Sequence, residues 1–345
     1  MRSRLVGVSA VLLAACLPVE PEYLITAPRF RAVRVEVVEP GGYASLLNVP
    51  EGRRRATPLP LDTVELTAIF AAPPDVTVQP PIWLVCGLAC YENGPLAALA
   101  GDLAECPTPL PLDLFDPCRL AEGLQVRVGL AGVYTLARGR IELILIGSRD
   151  DDLTPATCLE RVTRRPHTDL EPCIVSQWSL DLGPLWAVLP FEPDAGDVPP
   201  EILAQEVDTN PDVAEFRVTR ERGGDHSEQR VAPGGSVGVR RGDRISVEPI
   251  FTADSLQTFW YTVGDEQDKP WSGELRSNEE WMKIRGWLDA PALDFSRGSV
   301  PRWGPAPITW IVPHDVVPTR LFLDVRDNRD GRGAAELLFV ADDAP

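Results

Sequence analysis

The sequence predicts an all-β protein made of two tandem β-sandwich domains. Three observations carry that prediction. Short runs of alternating polar and apolar residues recur along the chain, as in Arg31-Ala32-Val33-Arg34-Val35-Glu36-Val37-Val38. A period of two is what a half-buried strand requires. Pro and Gly, at 35 and 27 of 345 residues, interrupt these runs before a long helix could form. One pattern also occurs twice: Asp62-x-Val64-x-Leu66-x-x-Ile69-Phe70 returns as Asp243-x-Ile245-x-Val247-x-x-Ile250-Phe251, a shift of 181. At the same shift Val35 and Val37 fall on Phe216 and Val218. Two strands at one offset, in one order, argue for duplication.

The chain opens on Arg2 and Arg4, followed by 11 apolar or small residues from Leu5 to Ala15. A membrane-spanning helix needs about 20 such residues, so this stretch is too short to cross a bilayer. A basic front, a short apolar middle and small residues before a cut form a secretory signal. Leu13-Ala14-Ala15-Cys16 resembles the lipobox of bacterial lipoproteins. The resemblance implies a signal peptide over residues 1–15 and a diacylglycerol thioether on Cys16. It also implies cleavage before that Cys and acylation of the new N-terminus. An ordinary secretory signal, with Cys16 incidental, is the competing reading. Two or more acyl chains hold a protein stably on a membrane. Residues 16–28 then form the lipidated Cys and a tether with prolines at Pro18, Pro21 and Pro28. Leu17 follows the Cys where an Asp would mark inner-membrane retention. The resemblance therefore implies the outer membrane if the cell is Gram-negative.

Residues 29–190 read as the first sandwich. Strands are expected at 31–38, 63–70, 82–86, 124–130, 140–146 and 174–180. The run Ile82-Trp83-Leu84-Val85-Cys86 is apolar on both faces and so belongs at the centre of a sheet. Residues 87–121 interrupt the pattern as a Cys-rich insertion, with a short helix expected over 95–104 and Pro95 at its first position. Cys86, Cys90, Cys106, Cys118, Cys158 and Cys173 all lie in this half. An even number in an exported chain reads as disulfides. Cys158 and Cys173, set apart from the others, are the expected pair, and the remaining four pair among themselves. A zinc site is the alternative, but Cys86-Gly-Leu-Ala-Cys90 has no His nearby.

Residues 191–212, rich in Pro and acids, read as a linker with a helical turn near 201–207. Residues 213–345 restart the strand pattern at 213–219, 231–240, 243–251, 258–263, 308–312, 319–326 and 334–340. Gly235 to Val247 gives turn, strand, Gly-Asp turn, strand, and Val325-Arg-Asp-Asn-Arg-Asp-Gly-Arg-Gly333 gives a closing hairpin. These segments resemble bacterial surface domains of the immunoglobulin-like or PKD type. The resemblance implies an immunoglobulin-like sandwich with a display or adhesion role, and it carries over no catalytic residue.

A net charge of −18 argues against nucleic acid and anionic lipid surfaces as partners. No cofactor is expected. Gly234-Gly-Ser236-Val-Gly238 spells a nucleophile elbow, but that motif needs a following helix and here a strand is expected. His167, His226 and His314 are scattered in polar or Pro-rich segments. Asp327, Asn328 and Asp330 sit near a Gly and suggest a calcium site, yet the spacing fails the EF-hand pattern and fits a tight turn. The acids Asp150–Asp152 are read in the same way. Arg241-Gly242-Asp243 spells an adhesion tripeptide and also fits a turn. Six of nine Trp lie in the second half, and Trp271, Trp281, Trp287 and Trp303 fall in a long excursion over 264–307. Trp faces stack on sugars and anchor partners, so these four are the candidate ligand-binding residues.

The expected function is non-enzymatic: a membrane-anchored, exported lipoprotein for surface display, adhesion or envelope scaffolding. Its partners would be the membrane, through the lipid, and an envelope protein or polysaccharide. The alternative is glycan or ligand binding through the Trp-rich excursion. An uncharacterised hydrolase is third.

Overall fold

Alternation in the sequence becomes strand throughout. The computed structural model describes residues 23–73, 75–86, 90, 94–111, 114–132, 140–164, 169–184, 198–263, 273–279, 282–296, 307–329 and 331–342. The chain is mostly strand, arranged in several sheets.

In the first half, β1 (Arg29–Glu39), β2 (Thr63–Ala71), β3 (Ile82–Val85), β4 (Ala104–Glu105), β5 (Cys118–Glu122), β6 (Gln125–Gly129), β7 (Arg140–Ser148) and β8 (Cys173–Asp181) form two sheets. One has the order β1-β2-β6 and the other β4-β5-β3-β7-β8. Val33, Val35 and Val37 of β1 and Val64 and Leu66 of β2 point inward. They meet Trp83, Leu143 and Leu145 from the facing sheet in one apolar cluster. β3 lies between β5 and β7 and is buried on both faces, as its all-apolar sequence requires. Its outer face is covered by a third layer. Two α-helices are described in this half, α1 (Pro95–Ala98) and α2 (Pro155–Thr163), and Leu99, Cys158 and Val162 pack with Leu84, Ile144 and Ile146.

Segment 158–173, where the sequence pattern gives no element, holds most of α2. Thr154 caps that helix by accepting the Thr157 N–H, and Pro155 fills its first turn. The disulfides are Cys86–Cys90, Cys106–Cys118 and Cys158–Cys173. The last ties α2 to β8 with Cα atoms 5.5 Å apart.

A short helix α3 (Pro200–Ala204) leads into the second half. There β9 (Val213–Arg222), β10 (Asp225–Val231), β11 (Ser236–Val239), β12 (Arg244–Phe251), β13 (Thr258–Val263) and β14 (Glu274–Glu279) come first. They are followed by β15 (Lys283–Leu288), β16 (Leu293–Ser296), β17 (Ile308–Ile311), β18 (Thr319–Arg326) and β19 (Arg332–Ala341). The sheets run β10-β9-β12-β17-β16 and β11-β19-β18-β15, with β13-β14 as a separate hairpin. Phe216, Ile245 and Trp310 from the first pack on Leu323, Leu337 and Phe339 from the second. The excursion 264–307 was expected to be loop, but its described residues hold β14, β15 and β16.

The repeated pattern has a structural counterpart. β1-β2-β6 and β9-β12-β17 are antiparallel triplets, as are β3-β7-β8 and β15-β18-β19. The six strands of each half follow the same chain order. Asp62 and Asp243 fill the same position in both. Each accepts, on Oδ2, the N–H of the residue three before it, Leu59 at 2.6 Å and Arg240 at 2.8 Å. Each backbone carbonyl accepts from the strand opposite, Leu130 N–H at 2.8 Å and Val312 N–H at 2.9 Å. The pairing register differs by two residues: Val37 faces Val64, whereas Val218 faces Val247. An even slip keeps every side chain on its face. The strand equivalent to Trp83's β3 is β15, carrying Trp287, and not the β13 strand of Trp260.

Candidate functional site

The two halves meet along a polar seam, and residues expected to be tether and linker build it. Tyr23 and Ile25 pair with Leu288 on β15 through hydrogen bonds of 2.8 Å each. Ile25, Ala71, Trp287 and Phe322 bury one another there. Residues 206–209 run beside the 48–56 segment, with Val207 N–H on Asn48 O and Ala56 N–H on Asp208 O, both 3.0 Å. Buried backbone groups must be paired, and this segment pairs its own across the seam. A Cβ on Gly333 would strike the Pro211 carbonyl. Only Gly lets β19 lie this close.

Charged side chains complete the contact. Asp212 takes Arg34 at 3.0 Å and Arg53 at 2.9 Å. Asn210, 3 % exposed, donates to Val35 O at 2.6 Å and accepts the Arg332 N–H at 2.8 Å, so one amide joins both halves. Two stacking contacts cross in opposite directions. Arg31 of β1 lies 4.0 Å over the Trp287 ring, and Arg332 of β19 lies 4.6 Å over Trp178 of β8. Such cation–π pairs gain strength when partly desolvated.

Above Asn210 the seam opens into a cleft of about 280 Å³. Its floor is apolar: Val33, Val35, Ala56 and Leu180. Its rim carries Arg140, Arg326 and Arg332, with Gln177 and Ser179 beside them. Asp181 is the one carboxylate among the described lining residues, and it pairs with Arg140 at 3.4 Å. Glu142 stands behind the rim and takes hydrogen bonds from Gln177 at 3.1 Å and Ser179 at 2.7 Å. Asp324 lies under Arg326. Burial pushes its carboxyl above the ordinary carboxylate range, against the pull of Arg332, Arg285, Arg31 and Arg326. Guanidiniums over an apolar floor bind and orient an anion. Among the described lining residues there is no Ser–His or Cys–His pair that could act as an activated nucleophile.

The residues singled out from sequence fall elsewhere. Trp287 does not offer a face to a ligand; it is 6 % exposed, packed in the seam under Arg31. Sequence places it in a loop, but its segment pairs with β18 and turns it inward. Trp271, Trp281 and Trp303 lie outside the described residues, as do Cys16 and Asp330. Asp327 closes its own turn, its Oδ1 accepting the N–H groups of Arg329 and Gly331 at 2.8 Å each. Asn328 sits in that same turn. Among the described residues no group of three or more His, Cys, Asp or Glu could hold a metal ion. Asp243 of the Arg-Gly-Asp tripeptide is fully buried, bound by Arg222 at 2.6 Å, so a receptor cannot reach it. Ser236 starts strand β11, so the elbow motif lacks its helix.

Sequence reasoning missed Arg140, Asn210, Arg326 and Arg332. Only Trp178, inside an alternating run, carried a trace. No family model matches the chain, and no curated protein or solved structure does.

Proposed function

We propose that this is a lipid-anchored cell-envelope protein with a non-enzymatic display, adhesion or scaffolding role. Its tandem sandwiches would be immunoglobulin-like, the first carrying a disulfide-rich insertion. The observation that carries this reading is the cysteine count. The six cysteines after Cys16 pair completely among themselves, and only Cys16, at the end of a lipobox-like stretch, is left over. Disulfides at this density suit an oxidising compartment. The docking of Tyr23 supports a short leash. From Cys16 to Glu22 the chain spans at most about 23 Å at ~3.3 Å per residue. The anchor would hold the protein close to the membrane, near the β15 edge.

Metabolic labelling with an alkynyl fatty acid tests the reading. The wild-type protein should incorporate the probe and fractionate with membranes, and Cys16→Ser should do neither. Label on the Cys16→Ser variant, or free thiols at the six later cysteines, would remove the proposal's basis. Pull-down from solubilised envelope then separates roles: stable protein partners favour scaffolding, and retention by polysaccharide favours glycan binding.

A further inference from the structure

We infer that the seam cleft is a binding site for a compact organic anion, a carboxylate or phosphate carried on a body with one apolar face. The inference is independent of the lipid anchor. Three observations lead to it.

The first is a row of like charges. In the β15-β18-β19 sheet, Lys283 stands directly opposite Arg326, and Arg326 directly opposite Arg332. Residues that face each other across antiparallel strands share a side of the sheet. Like charges so placed are unfavourable. Val325, the neighbour of Arg326, is buried in the core between the sheets. The row therefore lies on the opposite side, which faces the first half.

The second is the charge balance. Arg140, Arg326 and Arg332 line the cleft, Lys283 stands opposite Arg326 on the next strand, and Arg332, Arg285, Arg31 and Arg326 all act on Asp324. Among the described lining residues three guanidiniums meet one carboxylate, Asp181, in a chain whose net charge is −18. An entering anion relieves that repulsion, and its charge-assisted hydrogen bonds form in a partly desolvated site.

The third is the shape. Val33, Val35, Ala56 and Leu180 give an apolar floor beneath a guanidinium rim. At about 280 Å³ the cleft sits at the small end of ligand sites. A naked inorganic ion would make no use of the small apolar area these buried side chains still show to the cleft. A compact acid covers it: its ring or chain rests on the floor and its oxyanion meets the rim. Trp178 borders the floor and its ring carries Arg332, so occupancy should alter its fluorescence.

Titration of the full chain in non-ionic detergent tests the site, using glucuronate, glucose 1-phosphate, glucose and inorganic phosphate as probes. Glucuronate or glucose 1-phosphate should bind saturably, and whichever of the two binds tighter identifies the oxyanion. Glucose should bind at least tenfold more weakly. Arg326→Gln and Arg140→Gln should each weaken the charged probe about tenfold, the expected scale for one charge-assisted hydrogen bond. Raising salt should weaken it further. Both arginines are exposed at the rim, so folding should survive, which a circular dichroism spectrum checks. Equal binding of glucose, affinity unchanged in both variants, or no saturation by either charged probe at 10 mM (roughly 2.7 kcal/mol of binding free energy) would overturn the inference. Inorganic phosphate binding as tightly as glucose 1-phosphate would show that the floor contributes nothing and overturn the stated ligand class.

Discussion

Asp62 and Asp243 do the same work in unequal surroundings, which makes their energies separable. Each caps a turn and fixes the start of a strand. Asp62 is 1 % exposed and its partner Arg55 is 2 % exposed, with Nη2 and Oδ2 2.6 Å apart. Removing one member of a buried pair leaves the other charge stranded, at a cost of about 3–5 kcal/mol. Asp243 is just as buried, but Arg222 is 39 % exposed and can turn to solvent. Its loss forfeits a backbone cap and part of an ion pair, about 1–3 kcal/mol. Asp62→Ala should therefore lower the urea midpoint more than Asp243→Ala does, with unchanged m-values. The reverse order would show that the Arg55 pair is not the stronger clamp.

At the scale of elements, the turn before each Asp is a test of backbone conformation. Leu61 has φ 70° and Gly242 has φ 79°, so both halves need a left-handed residue there. Nothing lies within 4 Å of a Cβ built on Gly242. Gly242→Ala thus measures conformational strain alone and should cost about 1–2 kcal/mol. Leu61→Gly relieves the same strain but frees the unfolded chain and removes a half-exposed side chain. It should change stability by less than about 1 kcal/mol. Thermal unfolding of both variants decides the matter, and an equal loss in each would sink the argument.

How far the elements were legible follows from range. β1, β2, β3 and β12 follow from alternation or apolar runs, which act between neighbours. The 181-residue offset found the duplication because the aligned Asp and apolar positions play the same local roles in both halves. Helix α2 was missed although Thr154-Pro155 announces it, since three preceding acids and a Cys within the helix carry no helical period. β14, β15 and β16 were hidden among Trp, Pro and polar residues whose partners lie on distant strands. The cleft was invisible for the same reason. Arg140, Asn210 and Arg326 belong to different strands and a linker, and no local pattern brings them together.

For the whole molecule, the seam decides whether the two halves behave as one body. Separate beads would need a free linker, but residues 206–212 are hydrogen-bonded or ion-paired to the first half along much of their length. The N-terminal segment reinforces this. The chain docks Tyr23 to Ile25 on the second half before it forms β1 in the first, so the halves are interlocked in both directions. Asn210 is a single point of failure in that arrangement, because its one amide satisfies Val35 O and the Arg332 N–H together. Asn210→Ala leaves both groups buried and unpaired, a cost of about 1–3 kcal/mol for each group that water cannot reach. That cost falls on the coupling and not on either core. Calorimetry of the wild-type chain should give one cooperative transition. In Asn210→Ala it should split into two, the disulfide-stapled first half melting later. A single transition shifted downward would mean the halves share a stability that the seam amide does not control. Two transitions already present in the wild type would mean the seam does not couple them.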